Sequence, residues 1–186
     1  MPEAYQTLLK GAGVGLLAAY AFRRAPGLDG KLIGVALALS ACADMALELN
    51  LFVGGALFAF SHAVAIYLYL RNRRERVTTS QWLFAIAIVI GTPVVSYFLS
   101  DRVEIAFYST FLGVMAAMAW TSSFPRYRVG IGAVLFIVSD WLIFSDMGSF
   151  NLGEVPRLLV WPLYYSGQLM IATGVVQTLR GERAAR

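Results

Sequence analysis

The sequence has very few of the residues that disulfides, metal sites and soluble surfaces require. Its 186 residues include one cysteine, Cys42, and one histidine, His62. A single cysteine excludes an intrachain disulfide, and a zinc site is not expected because catalytic zinc usually has several histidine ligands. Only 14% of the residues are charged, against about 25% in a soluble domain. This composition excludes an ordinary soluble globule, a disordered chain and a coiled coil.

What the sequence has instead is long apolar runs. Hydrophobic residues make up 59% of the chain, and its mean hydropathy is +0.67. A transmembrane helix needs about 20 mostly apolar residues. Seven such runs, joined by short loops, lie at residues 4–22, 31–49, 52–70, 81–99, 103–120, 127–144 and 157–179. The sequence therefore predicts one all-α domain over residues 1–186, a polytopic transmembrane helix bundle of about seven, or at most eight, spans.

The basic residues predict how the bundle lies in the membrane. All of the 15 lysines and arginines except Lys10, Arg102 and Arg157 fall on one side of the predicted bundle. Basic loops stay on the cytoplasmic side, so the N-terminus is expected outside and the C-terminus inside, in a bacterial inner membrane. Eight spans would put the basic tail on the wrong side, which favours seven. The net charge of +4 follows from this pattern and does not indicate a nucleic-acid partner.

Ionisable residues within the apolar runs are the first candidates for a functional site, since each costs free energy in a membrane. Asp44 and Glu48 lie in the second run, Asp140 in the sixth and Lys10 in the first. At about 1.5 Å per residue, Asp44, Asp140 and Lys10 lie roughly 4–6 Å outward of the midpoints of their runs. His62 lies near the midpoint of the third run. The shared depth predicts a polar pocket in the outer half of the bundle.

Helical spacing adds neutral polar residues to this pocket. Ser40, Asp44 and Glu48 follow each other at intervals of four residues and share one helix face. Tyr164 and Gln168 have the same spacing on the seventh run. Because lipid cannot satisfy polar groups, these faces are expected to point into the bundle.

Each of these residues also has a structural interpretation. Lys10 can extend its side chain to the outer interface, and Glu48, near a span end, can simply face water. His62, Tyr164 and Gln168 can hydrogen-bond neighbouring helices without any part in binding or catalysis. For the two aspartates the structural alternative is a buried pair held by serines or tyrosines.

The chemistry that the sequence allows is acid–base chemistry by carboxyl groups. No Gly-x-Ser-x-Gly elbow, His-Glu-x-x-His motif or glycine-rich phosphate loop occurs. A retinal protein is excluded because the seventh run has no interior lysine. Two close carboxyl groups in a low-dielectric pocket can differ in protonation, one a neutral acid and the other an anion. That arrangement suits a reaction that protonates its substrate and passes through an oxocarbenium ion, such as vinyl ether hydrolysis.

Four stretches of the sequence carry recognisable motifs. They are Ser40-x3-Asp44, Gly54-x3-Phe58-x3-His62, the run GAVLFIVSD that ends at Asp140, and Tyr164-x3-Gln168-x-Met170-Ile171. Through these stretches, residues 31–174 resemble the YhhN-like lysoplasmalogenase family of membrane proteins. Two positions depart from the family pattern: Ala43 stands where glycine is frequent, and Ala65 where tyrosine is frequent.

The resemblance implies hydrolysis of the vinyl ether bond of lysoplasmalogens to a fatty aldehyde and glycerophosphoethanolamine or glycerophosphocholine, without a metal or other cofactor. It implies that Asp44 and Asp140 are the catalytic acid–base pair, with either one as the acid. As a hypothesis, Lys10 binds the headgroup phosphate. The residues expected to orient water or the glycerol hydroxyl are His62, Tyr164, Tyr165, Gln168, Ser40, Glu48 and Ser139. The expected partners are a lysophospholipid substrate and membrane lipid, while a homodimer and an ester substrate are left open.

A proton-coupled transporter or channel for a small or lipid-like solute is the alternative function. Buried Asp, Glu, His and Lys side chains at similar depth also describe a proton relay. The sequence has no internal repeat of the kind that many transporters show. We therefore favour the hydrolase.

Overall fold

The described part of the chain contains seven α-helices joined by short connections. The computed structural model describes residues 3–150 and 152–184, and side chains within residues 11–150 and 152–181. The described residues form no β-strand, which confirms the all-α prediction, and each predicted run coincides with one helix to within a few residues. The helices are α1 (Glu3–Arg24), α2 (Gly27–Leu47), α3 (Leu51–Arg71), α4 (Thr79–Ser100), α5 (Val103–Thr121), α6 (Ile131–Ser145, after a π-helical turn at Arg126–Gly130) and α7 (Val155–Ala184).

Five of these helices are long and apolar enough to cross a membrane. They are α2, α3, α4, α5 and α6, the last taken together with its π-helical turn. Several apolar helices of this length are compatible with an integral membrane protein. The count of seven spans and the orientation of the termini stay predictions.

Local signals in the short connections set where helices begin and end. Asn50 caps α3, since its Oδ1 accepts hydrogen bonds from the backbone N–H groups of Phe52 at 2.9 Å and Val53 at 3.1 Å. These bonds satisfy donors that the start of a helix leaves free. Helix α4 is followed by Asp101, whose left-handed φ of 54° turns the chain into α5. These two tight turns make α2 and α3, and likewise α4 and α5, antiparallel neighbours.

Six of the helices form a ring. Helix α1 packs against α2, α2 against α3, α3 against α5, α5 against α6, α6 against α7, and α7 against α1. Helix α4 lies outside the ring against α5 and α6, and it is the least buried of the five apolar helices. The ring encloses an apolar core and, toward one end, a group of polar side chains.

Gly132 and Gly167 allow α6 and α7 to approach closely. A Cβ atom at Gly132 would lie 2.7 Å from the backbone oxygen of Gly167, and one at Gly167 would lie 2.6 Å from that of Gly132. Small residues at a crossing permit such backbone contact between membrane helices. The contact holds α6, which carries Asp140, against α7, which carries Tyr164 and Gln168.

We expect Gly167→Ala to destabilise the protein by about 1–3 kcal/mol, because the added methyl group forces the two backbones apart. Gly91→Ala is a matched control on α4, where a Cβ atom has nothing within 4 Å and alanine is the better helix former. Thermal unfolding in detergent measures the difference. Gly91→Ala should unfold at or above the wild-type temperature and Gly167→Ala below it, and equal midpoints for the two variants would contradict the close contact.

Candidate active site

Two buried aspartates lie toward the same end of the helix ring. Asp44 stands about one turn from the C-terminal end of α2, and Asp140 between one and two turns from that of α6. Both residues are buried: Asp44 is 9% exposed and Asp140 is 7% exposed. Because ionisable groups are costly in an apolar bundle, each aspartate needs polar partners from other helices.

Asp44 belongs to a hydrogen-bond chain with α7. The Tyr164 hydroxyl donates to Asp44 Oδ2 at 2.9 Å, and Gln168 Nε2 donates to the Tyr164 oxygen at 3.5 Å. Tyr164 and Gln168 are one turn apart on α7, and both are buried. The structure therefore brings together the aspartate and the tyrosine–glutamine pair that helical spacing had placed in the pocket.

Asp140 belongs to a second chain, with α5 and α3. The Tyr108 hydroxyl donates to Asp140 Oδ2 at 2.9 Å, and His62 Nε2 lies 3.2 Å from the same hydroxyl oxygen. The Phe136 ring contacts both His62 of this chain and Tyr164 of the Asp44 chain. The two chains are therefore parts of one site.

Sequence reasoning missed Tyr108. This residue lies near the start of an apolar run, where a tyrosine is usually explained as an interfacial anchor. The polar residue one turn before it, Glu104, is exposed and gave no sign of a buried polar face. Nothing in the sequence tells which face of α5 meets α3 and α6, so no signal pointed to a bond with Asp140.

Two phenylalanines, Phe58 on α3 and Phe136 on α6, stand between the two chains. The Phe136 ring lies edge-on to Tyr164 and to His62, with centroid distances of 5.0 Å and 5.1 Å. Phe58 lies edge-on to Phe136 at 5.7 Å. Edge-to-face contacts favour particular ring orientations. They therefore help to position the phenol and imidazole groups and give the site an apolar wall.

The two chains differ in the directions that their hydrogen bonds can take. Gln168 Nε2 faces Tyr164 and donates to its oxygen, while the Tyr164 hydroxyl donates to Asp44. Asp44 is thereby held as an acceptor, which suits a carboxylate. His62 Nε2 can donate or accept according to its tautomer. The Asp140 chain can therefore run either way, with Asp140 as an accepting anion or as a donating acid.

Two predicted serines have partners next to this centre. Ser40 Oγ lies 2.8 Å from Ser61 Oγ, a bond that joins α2 to α3. Ser139 donates to the backbone oxygen of Val160 at 3.0 Å and so ties α6 to α7. These bonds connect helices, and a role for either serine in orienting the substrate or water stays a prediction.

Three further predicted residues are Tyr165, Glu48 and Lys10. Tyr165 stacks on Trp161 with a centroid distance of 5.0 Å and an angle of 2° between the rings. Glu48 is exposed just beyond the C-terminal end of α2. The backbone of Lys10 belongs to α1, but its side chain lies outside the described residues. Their roles also stay predictions.

The fold and the site together define a class of protein. It is a helical bundle, several of whose helices can cross a membrane, with two buried aspartates bonded to tyrosines in its interior. Within the described residues, no group of three or more His, Cys, Asp or Glu side chains could hold a metal ion. At the centre of the site, carboxyl, phenol and imidazole groups donate and accept hydrogen bonds.

The chain belongs to the YhhN family, which matches residues 5–175 and thus nearly the whole sequence. This match confirms the resemblance. No curated protein and no solved structure matches the chain.

Proposed function

We propose that this protein is a membrane hydrolase that cleaves the vinyl ether bond of lysoplasmalogens by carboxyl acid–base catalysis. Its products are a fatty aldehyde and glycerophosphoethanolamine or glycerophosphocholine. Membership of the YhhN family supports this function. The observation that carries it is the pair of buried aspartates, each bonded to a tyrosine from another helix.

The first step is protonation of the substrate on carbon. We assign the acid to Asp140, because its chain through Tyr108 to His62 accommodates either protonation state. Asp140 gives its proton to the alkene carbon that does not bear the ether oxygen, and the double-bond electrons take it up. The resulting oxocarbenium ion is stabilised by the Asp44 carboxylate, which acts strongly because little water screens it in the bundle.

Addition of water and collapse of the hemiacetal complete the reaction. Water attacks the carbon that bears the ether oxygen while Asp44 accepts a proton from it. The hemiacetal then gives its hydroxyl proton to the Asp140 carboxylate, and Asp44 returns its proton to the departing glycerol oxygen. One vinyl ether and one water become one aldehyde and one alcohol. Both aspartates end in their starting states.

We also propose that the site opens toward the outer leaflet of a bacterial inner membrane. The ends of α3 and α5 that lie away from the aspartates meet at a basic connection, where Arg74 Nε donates to the backbone oxygen of Ser122. Basic segments remain on the cytoplasmic side. The aspartates lie toward the opposite end.

The test is direct detection of the aldehyde. Detergent-purified protein is given lysoplasmenyl-ethanolamine, with and without EDTA, and the release of fatty aldehyde is measured. An ester lysophospholipid with the same headgroup and chain length is run in parallel. We expect aldehyde from the vinyl ether and no fatty acid from the ester. Fatty acid alone would move the assignment to an ester hydrolase, and no product from folded protein would contradict hydrolase function.

A further inference from the structure

A small cavity lies beside the candidate active site, on the side away from the two aspartates. Its volume of about 20 Å³ is enough for one water molecule. His62 and Gln168, which belong to the two hydrogen-bond chains, also line this cavity. Tyr69 lines its far side, about two turns further along α3 than His62.

The buried hydroxyl of Tyr69 indicates that the cavity holds a polar ligand. Tyr69 is 1% exposed, and its hydroxyl has no hydrogen-bond partner within the described part of the chain. A buried hydroxyl without a partner is destabilising, and ordered water commonly satisfies such groups. The cavity is the space that Tyr69 shares with other polar side chains.

Two of those side chains offer acceptors. Ser61 donates its proton to the backbone oxygen of Ala36 at 2.8 Å, so Ser40 must be the donor in the Ser40–Ser61 bond. The lone pairs of Ser40 Oγ thus remain available. Gln168 donates through Nε2 to Tyr164, which leaves its Oε1 as an acceptor. With the Tyr69 donor, the cavity offers the two to four partners that a buried water needs.

We propose that this cavity binds a water molecule and supplies it for hydrolysis from the side of the site that lies away from the two aspartates. The supply role rests on the proposed function, whereas the binding of water does not. In the proposed reaction the headgroup of the lysophospholipid would cover the outer approach to the aspartates, yet each turnover consumes one water. A water bound next to His62 and Gln168 contacts both hydrogen-bond chains, so it remains available when the substrate blocks the outer approach.

The binding of water can be tested without any substrate. In radiolytic hydroxyl-radical footprinting, X-rays split ordered water and label the side chains next to it. Met115 lines the cavity and is 2% exposed. Phe124 packs against Tyr69 and is 1% exposed, but it does not line the cavity. We expect labelling of Met115 and Tyr69 in the full-length protein in detergent, and protection of Phe124.

Two variants remove the water in different ways. Ala65→Val fills the cavity from α3, and its matched control is Ala63→Val on the exposed face of the same helix. Tyr69→Phe keeps the shape of the ring and removes one hydrogen bond, which should lower Met115 labelling about fivefold. Ala65→Val should reduce it to the level of Phe124, and Ala63→Val should not change it.

Turnover then tests the supply role. Ala65→Val and Tyr69→Phe should lower kcat for aldehyde release with little change in KM, while Ala63→Val should match wild type. Protection of Met115 in wild type would overturn the water site, whether or not the protein releases aldehyde. Loss of labelling in Ala65→Val with an unchanged kcat would overturn the supply role. Labelling of Met115 in a protein that releases no aldehyde would support the water site and overturn its part in hydrolysis.

Discussion

Asp140→Asn should abolish aldehyde release, with a loss of about 10³-fold or more in kcat. Asparagine has nearly the shape of aspartate, and its Oδ1 can still accept the hydrogen bond from Tyr108 that now reaches Asp140. It has no acidic proton to give to the alkene carbon, so the oxocarbenium ion cannot form. The measurement is single-turnover aldehyde release from lysoplasmenyl-ethanolamine, with the unfolding temperature of the variant as the check on folding.

The control for this variant is Tyr108→Phe. It leaves the acid in place and removes only the hydroxyl between Asp140 and His62. Loss of one such bond corresponds to about a tenfold decrease, far less than the loss of the acid itself. A folded Asp140→Asn protein with near wild-type turnover would remove Asp140 from the chemistry. Equal losses in the two variants would instead make the chain through Tyr108 as important as the acid.

The helices were predictable from sequence because each one is a long apolar run bounded by turn residues. Asn50 and Asp101 stand at such boundaries, and the structure uses one as a helix cap and the other as a left-handed turn. Hydropathy has no comparable signal for the π-helical turn before α6, because a π-turn differs from an α-helix in backbone hydrogen bonding. Hydropathy also could not predict the ring of helices, since the order of the apolar runs does not reveal that α3 packs against α5.

The candidate site was predictable where its residues repeat along one helix. Tyr164 and Gln168 stand four residues apart, and such spacing identifies a shared face without any knowledge of neighbouring helices. The partner of a lone polar residue depends on how its helix is rotated and on what stands opposite. For this reason Tyr108 was missed. The bond of Ser139 to the backbone of α7 could not be predicted either, and its role in the site stays a prediction.

Asp44→Ala should lose aldehyde release by about 10³-fold, and formate should restore part of it in proportion to its concentration. The alanine leaves space beside Tyr164, where the missing carboxylate stood. A formate anion in that space can stabilise the oxocarbenium ion and take the proton from water, since Asp140 still supplies the first proton. The measurement is the initial rate of aldehyde release at neutral pH over a series of formate concentrations, with chloride at equal ionic strength as the control.

Asp140→Ala is the matched variant that decides the assignment of acid and base. Formate at neutral pH is an anion and has no proton to give, so it should not restore aldehyde release in Asp140→Ala. The proposed roles predict this asymmetry: Asp44 accepts a hydrogen bond from Tyr164, whereas the Asp140 chain can run in either direction through His62. Rescue of Asp140→Ala and not of Asp44→Ala would exchange the two roles. Rescue of neither, with both variants folded, would contradict a carboxylate base at Asp44.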